Sequence, residues 1–548
     1  MKLLQKFKAR TMSLFAFNLL LAIWLGVFLN FSFYQKIQEL TPYTGFKAGL
    51  FVTASIMVVV AAYTLIFQIF NWKWTAKPIA IALVFIGGFS AYAVNTLGVL
   101  ITADQIQNLM QTDPAEARDT WSWHLVVWTV LMIVLPIIVI CRIKLKSESG
   151  IHLLLHKVMT SIVSLALVGG LLFAFYVDFA AIFREHRDLK SMISPQNMIA
   201  SFVSYYHKKA PKKNLPLLTY GEDAHLQLKA NSTDLPKLMV LVVGETARAE
   251  NFSLNGYSKN TNPKLSQQDL INFSQVSSCG TATAVSVPCM FSGMPRKGYD
   301  EQLASHREGL LDIAKRAGYQ VTWIDNNSGC KGTCDRVEQY QIPEPIQQKW
   351  CKDGECLDDV LVEGLKAYLA TISEDDKRPR LIVLHQMGSH GPAYYKRIPP
   401  QFKVFKPTCD TNAIQGCSRE ALLNSYDNTL LYTDYVLDSF IEILKHNNKY
   451  QTGLWYLSDH GESTGESGMY LHGAPYAIAP TQQTHVPMLM WFSTAWKQHA
   501  DQQMKCLQQQ RTHELSQDNL FPTMLSLLDV KTKTIDPKND MLQTCSDN

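Results

Sequence analysis

The sequence carries almost no net charge: 51 Lys and Arg stand against 47 Asp and Glu, a formal +4 over 548 residues. So small a surplus argues against nucleic-acid binding through a general phosphate-seeking surface. There is no internal repeat and no low-complexity segment. A cleavable secretory signal is missing too, because the first apolar stretch is long and four more follow it. Cysteine is nearly absent from the first 183 residues, where Cys141 stands alone. The chain is too long for one ordinary core and its apolar residues are unevenly spread, so at least two domains in different solvents are expected.

The first 183 residues hold five apolar stretches, near 12–34, 48–71, 78–102, 121–141 and 157–183, each about the ~20 residues a bilayer requires. They predict five transmembrane helices rather than buried helices of a water-soluble core. Lys and Arg stay on the cytoplasmic side of short loops. Lys2, Lys6, Lys8 and Arg10 precede the first helix, Lys73 and Lys77 separate the second and third, and Arg142, Lys144, Lys146 and Lys157 separate the fourth and fifth. The opposite loops offer only Lys36, Lys47 and Arg118. The N-terminus is therefore expected inside, and everything after residue 183 outside.

Ten of the eleven cysteines fall in that outer part, an even number that reads as disulfides in an oxidising space. Sequence neighbours suggest Cys279 with Cys289, Cys330 with Cys334, Cys351 with Cys356, Cys409 with Cys417, and Cys506 with Cys545. Structural zinc is the rival reading of close pairs, but no regular CxxC pairing occurs and thiolates are oxidised outside the cytosol.

Residues 184–235 read as a linker with interfacial segments: the apolar run stops at Arg184, and Lys208, Lys209, Lys212 and Lys213 surround Pro211. That basic patch suits anionic head groups or plain solvent alike. From 236 to 548 short β-rich runs (238–243, 319–324, 381–384, 454–457) alternate with helical patterns (301–317, 357–372, 421–445). The alternation predicts an α/β domain with a parallel sheet covered by helices on both faces, and in such sheets function gathers at the carboxyl ends of the strands.

Polar residues follow each predicted strand: Glu245 and Thr246, Asp325 to Asn327, His385 to Gly391, and Asp459 to Gly461. Taken singly, an acid after a strand is more often a helix cap. Together Glu245, Asp459 and His460 supply two carboxylates and one imidazole, a ligand set suited to zinc with a position left open for chemistry.

Six runs carry a resemblance: VVGETAR at 242–248, SCGTAT at 278–283, SVPCM at 286–290, DNNS at 325–328, HQMGSHGP at 385–392 and SDHGES at 458–463. On these runs, and on its helices and disulfide-rich outer domain, the chain resembles the lipid A phosphoethanolamine transferases, a family that includes the mobile colistin-resistance enzymes. The resemblance implies an inner-membrane protein with a periplasmic catalytic domain of alkaline-phosphatase/sulfatase-like fold. It implies that Thr283 is the nucleophile and that Glu245, Thr283, Asp459 and His460 surround zinc. Thr281 is the nearby competitor, and only the resemblance selects Thr283. Contact with zinc would stabilise the otherwise poor threonine nucleophile as its alkoxide.

Asn327, Ser328, Lys331, His390 and His472 resemble residues that hold the phosphoethanolamine group or a second zinc. Asn108, Thr112 and Glu116 resemble positions that hold the donor lipid, although Asp113 to Glu116 also reads as a capping box. The implied partners are phosphatidylethanolamine as donor, lipid A as acceptor and inner-membrane lipids around a monomer; the implied outcome is lower surface negative charge and polymyxin resistance. Related enzymes modify other glycans, so the acceptor stays open. A sulfatase or phosphatase of the same superfamily is the rival enzyme; Ser286-Val287-Pro288-Cys289 begins a sulfatase run, but Met290 stands where Arg is required. A non-catalytic membrane sensor would not require Glu245, Thr283, Asp459 and His460 together.

Overall fold

The computed structural model describes residues 11–112, 114–147, 150–208, 215–227, 234–352, 354–543 and 545, with the side chains of Ala115, Glu116, Ala181, Arg184, Glu185 and Arg187 excepted. Lys2, Lys6, Lys8, Arg10, Lys209, Pro211, Lys212 and Lys213 lie outside the described residues. The chain divides into two compact units, Met1–Ile106 with Ser122–His207, and Gln107–Trp121 with Lys208–Asn548. The segment Gln107–Trp121, between two of the apolar stretches, thus groups with the C-terminal unit.

In the first unit four helices are long and apolar enough to cross a membrane, Gly45–Phe70, Ala76–Leu97, Trp123–Arg142 and Gly150–Ala174. The first apolar stretch is a bent pair of helices, Leu14–Phe28 and Phe31–Leu40, meeting at 59°. The straight helix expected over 12–34 is therefore broken, and Asn30 at the break explains why. Its Nδ2 donates to the Leu25 carbonyl at 2.7 Å, a carbonyl that a continuing helix would pair with a backbone N–H. Ser90, Ser194, Asn197 and Tyr63 complete a neutral buried network around the same residue. The last span starts at Gly150 rather than 157 and stops at Ala174, after which Tyr176–Glu185 forms a separate helix. Lys157, expected in a loop, is buried within that span and donates to the carbonyls of Gln68 (2.5 Å) and Asn71 (2.7 Å). Those are carbonyls at the C-terminal end of Gly45–Phe70, where a cation is favoured.

The second unit is built on a seven-stranded sheet: β1 (Lys237–Gly244), β2 (Leu270–Phe273), β3 (Gln320–Asp325), β4 (Glu338–Gln339), β5 (Arg380–His385), β6 (Gln451–Ser458) and β7 (Met488–Phe492), in the order β2-β7-β6-β1-β5-β3-β4. The four strands read from sequence run parallel, but β7 is antiparallel to both β6 and β2, so the sheet is mixed. The apolar run of β7 carries no mark of direction, which comes from the long connection returning at the end where β6 stops. Alternate residues of β1 feed two cores, as a sheet covered on both faces requires. Met239, Leu241 and Val243 pack with Trp323 and Trp455, while Leu238, Val240 and Val242 pack with Tyr426 and Phe440.

The helices Asp359–Ala370 and Arg419–Lys445 form where expected. The helix expected over 301–317 is two, Glu301–Ser305 and Leu310–Arg316. Gly309 lies between them, where a Cβ would come within 2.7 Å of the Phe291 carbonyl oxygen. All five disulfides form as paired from the sequence, so Cys330 and Cys334 are bonded to each other and offer no thiolate to a metal; Cys141 is free.

Candidate active site

Register brings the strand ends level. His385 pairs with Val243 and Asp325, and Ser458 with Gly244, so the residues that follow emerge along one edge. Glu245 leaves β1; Asp459 and His460 leave β6. Thr246 and Lys331 both adopt left-handed backbone, φ 52° and 51°, a conformation that costs a side-chain-bearing residue free energy and concentrates at functional sites. Gly388 after β5 has no alternative, since a Cβ there would stand 2.6 Å from the Glu245 carbonyl oxygen.

Thr283 opens the helix Thr283–Ser292 behind the extended residue Ala282. The Cys279–Cys289 disulfide ties the incoming loop to that helix. Gln517 ties it to β6 as well: its Oε1 accepts from Cys279 N at 2.6 Å, and its Nε2 donates to the carbonyls of Ser458 and Asp459 at 2.7 Å each. Thr283 Oγ1 donates to Glu245 Oε2 at 3.0 Å and lies 3.3 Å from His460 Nε2. The same nitrogen is 3.4 Å from Glu245 Oε1 and 3.4 Å from Asp459 Oδ2. The competitor Thr281 is turned away, its hydroxyl donating to the Ala474 carbonyl at 2.6 Å.

Protonation follows from partners. His460 Nδ1 sits 2.8 Å from the Gly461 carbonyl oxygen, which can only accept, so the neutral ring carries its proton there and presents a lone pair at Nε2. Burial pulls this imidazole down to about 4, with Asp459 opposing, so the neutral form is the one at physiological pH. Asp459 Oδ1 accepts from the backbone N–H groups of His460 (2.7 Å) and Thr246 (3.2 Å), whereas its Oδ2 is buried and receives no hydrogen bond among the described residues. Ligand atoms of Glu245, Asp459 and His460 lie within 4.8 Å of one another, all on buried residues. Acceptors converging in a buried place, with one hydroxyl among them, are costly until a cation enters. The donor set fits a divalent metal.

Asn327 forms the next layer. Its Nδ2 donates to Glu245 Oε2 at 2.8 Å and to the Gln386 carbonyl at 2.7 Å. Its Oδ1 accepts from Ser328 Oγ at 3.2 Å, and Lys331 Nζ donates to that Oγ at 2.7 Å, so both reach the cluster through Asn327. The Asp325 carboxylate shapes this loop. Burial acts to raise its pKa, but bonds from His385 and Trp323 prevail and hold it below the usual value; it accepts from Asn327 N and Gly329 N at 3.1 Å each. The His472 ring centroid lies 4.5 Å from that of His460, tilted by 42°, and 5.4 Å from that of His390, edge to face, and its Nδ1 lies 3.3 Å from Glu462 Oε1. Thr112 Oγ1 donates to the Asn108 carbonyl at 2.9 Å, as their spacing of four allows, and the Glu116 side chain lies outside the described residues.

Family profiles cover most of the chain: Phosphoethanolamine transferase EptA/EptB matches residues 59–210 and Sulfatase matches 237–530. The chain is 42% identical to phosphoethanolamine transferase EptA of Escherichia coli K12 over 98% of both sequences. The chain belongs to the phosphoethanolamine transferase family. It is also 34% identical to phosphatidylethanolamine transferase Mcr-1 of Escherichia coli, covering 95% of this transferase and 96% of that one. Its structure superposes with a TM-score of 0.92, at 37% identity and over 98% of this chain and 99% of the other, on the integral membrane lipooligosaccharide phosphoethanolamine transferase A of Neisseria meningitidis.

Some residues of this transferase site had escaped the sequence reading. Glu462 stands inside a quoted run, beside a histidine already singled out, and could have been found there. Gln517 and Asp358 stand in no motif. Asp358 accepts from Asn326 Nδ2 (2.8 Å), Met387 N (2.9 Å) and Gly388 N (3.0 Å), a bracing role visible only once β3 and β5 are neighbours.

Proposed function

We infer that this transferase moves phosphoethanolamine from phosphatidylethanolamine to a phosphate of lipid A at the periplasmic face of the inner membrane, through a covalent adduct on Thr283. The observation that carries this reading is the Thr283 hydroxyl, 3.0 Å from Glu245 Oε2 and 3.3 Å from His460 Nε2, a nucleophile set among metal-type ligands. Glu245, Thr283, Asp459 and His460 would hold zinc. When bound, zinc lowers the pKa of a ligating hydroxyl and offsets charge on phosphoryl oxygens.

The remaining work falls to the chain itself. The Thr283 proton points at Glu245 Oε2. As the new O–P bond forms, the bond from phosphorus to the diacylglycerol oxygen breaks and that oxygen takes up a proton; His390 and His472, beside the cluster, are placed to give it. Lys331, held on Ser328, balances a phosphate oxygen, and Asn327 keeps Glu245 oriented. An acceptor phosphate oxygen then attacks the phosphorus of the adduct, the bond from phosphorus to Thr283 Oγ1 breaks, and Thr283 recovers from Glu245 the proton it gave up. Asn108, Thr112 and Glu116 are assigned to the donor lipid.

Supplied with phosphatidylethanolamine alone, the full chain should release about one diacylglycerol per site in a burst, and a Thr283 peptide should gain the mass of phosphoethanolamine. Transfer without any adduct would overturn the two-step path. Lipid A from cells with and without the protein, compared by mass spectrometry, tests the acceptor; an unmodified lipid A would move the assignment to another periplasmic glycan. Modified lipid A carries less negative charge and attracts polymyxins less.

A further inference from the structure

Alongside the catalytic helix Thr283–Ser292 lies a cavity of about 360 Å³ that the mechanism above touches only at Lys331; small-molecule sites run from about 300 to 1,000 Å³. Ala284, next to Thr283 in the chain, and Lys331 line one part of it, and Gln107 and Gln111 line another. Two of its cations are already engaged. Arg336 forks onto Asp312 through two bonds of 2.7 Å, and Lys331 donates to Ser328 O and Oγ at 3.0 and 2.7 Å. Three polar atoms are not: Oε1 of Gln107, Oε1 of Gln111 and Nε of Arg307 are buried without a hydrogen-bond partner among the described residues. Gln107 is only 7% exposed, and the two glutamines stand one turn apart on one helix face. Arg307 is fixed at its far end, donating to the Ser292 carbonyl at 2.8 Å and lying over the Tyr220 ring.

Two orphaned acceptors and one orphaned donor discriminate among ligands. A phosphate brings only acceptors and leaves the glutamines unpaired; an ammonium brings only donors and leaves Arg307 unpaired. A hydroxyl or an N-acyl amide both donates and accepts. Turning one of the two glutamine amides over leaves one acceptor and two donors, still a mixed set, whereas turning over both would leave three donors and suit a phosphate, so the conclusion holds with the amides oriented as they stand. Tyr299, also on the wall, adds a ring on which the C–H face of a sugar can pack. We propose that this cavity is the subsite for an N-acylated amino-sugar ring of the acceptor lipid, an inference that rests on the lipid A reading above.

The test uses the full-length protein in a detergent without a sugar head group, with N-acetylglucosamine as the probe and ethanolamine as the ammonium control, both followed by saturation-transfer NMR. The wild type should show transfer to N-acetylglucosamine, and the signal should vanish in Gln107→Leu/Gln111→Leu and in Ala304→Phe, which fills the cavity from another wall. Both variants should raise the KM for lipid A about tenfold or more while leaving the diacylglycerol burst unchanged, a split that a misfolded protein would not give. Two variants keep the result readable if one fails to fold. Unchanged sugar signal and unchanged acceptor KM would overturn the proposal, as would a lost burst with acceptor KM intact. Sugar binding that the variants abolish, in a protein that leaves lipid A unmodified, would instead sink the lipid A reading and uphold the subsite.

Discussion

Two buried polar clusters, one in each unit, are built on opposite terms. Around Asn30 the groups are neutral and answer one another: its Nδ2 donates to Leu25 O and Ser194 O, its Oδ1 accepts from Ser194 N, and Tyr63, Ser90 and Asn197 close the network. Around Thr283 the groups are charged or lone-pair-bearing and are left short of donors, with Asp459 Oδ2 receiving none among the described residues. A satisfied network holds a fold together. An unsatisfied one stores a cost that a ligand can relieve. The contrast separates structural polarity from functional polarity without reference to any motif.

The largest test removes a member of the unsatisfied cluster. Asp459→Ala should lower transfer by more than about 100-fold, yet leave the melting temperature of the metal-stripped protein nearly unchanged, because the loss of a buried carboxylate oxygen without a donor offsets the two backbone N–H groups, of His460 and Thr246, that the change strands. A chelator should lower the wild-type melting temperature and not that of Asp459→Ala. A large loss of stability in the stripped variant would mean that this cluster, too, is structural.

Asn327→Ala should cost about 10- to 100-fold in transfer, since it removes the amide that orients Glu245 rather than a ligand itself. Normal turnover in that variant would shrink the functional cluster to its inner four residues. A smaller effect, of a different kind, is expected in the membrane unit. Asn30→Ala should lower stability by about 1–3 kcal/mol, seen as earlier thermal unfolding in detergent, while each folded molecule still forms the Thr283 adduct at the normal rate. Lost activity with unchanged melting would make the Asn30 network functional and break the contrast.

The sequence made the inner cluster legible because two neighbouring strands, β1 and β6, end in register and each leaves its chemistry within two residues of its carboxyl end. Glu245, Asp459 and His460 needed only a parallel arrangement to meet. What stayed hidden depended on geometry that no local pattern encodes. The direction of β7 is set by where its connection returns, the break at Asn30 by one side chain taking a helical carbonyl, and the split after Ser305 by how closely Gly309 passes Phe291. Thr283 could be preferred to Thr281 only by likeness to a family; in the structure the Thr281 hydroxyl is occupied by the Ala474 carbonyl. Gln107 and Gln111 carried no signal at all, since a glutamine on a helix is ordinary until the wall it faces is known.

The smallest expected effect comes from a carboxylate that sits between the two clusters in kind. Asp434, buried on the helix Arg419–Lys445, accepts from the backbone N–H groups of Leu265 (2.9 Å) and Lys264 (3.0 Å), so it has donors, yet no cation relieves its burial in full. Burial raises its pKa from the ordinary 3.8 to about 7; the two backbone bonds oppose the shift, the Asp438 charge adds to it and the Lys264 charge subtracts. Between those two values the folded protein keeps a proton that the unfolded chain has released. Stability therefore falls as pH rises from about 4 to about 7 and is flat, as far as this group is concerned, above that window. Asp434→Asn removes the titration while keeping an oxygen for one of the two donors. The difference in melting temperature, variant minus wild type, should then grow in the variant's favour across that pH range and level off beyond it. A difference that does not depend on pH would show Asp434 ionised throughout, its two backbone donors sufficing for a buried charge. The missing donor on Asp459 would then be what sets the catalytic cluster apart, rather than burial of charge as such.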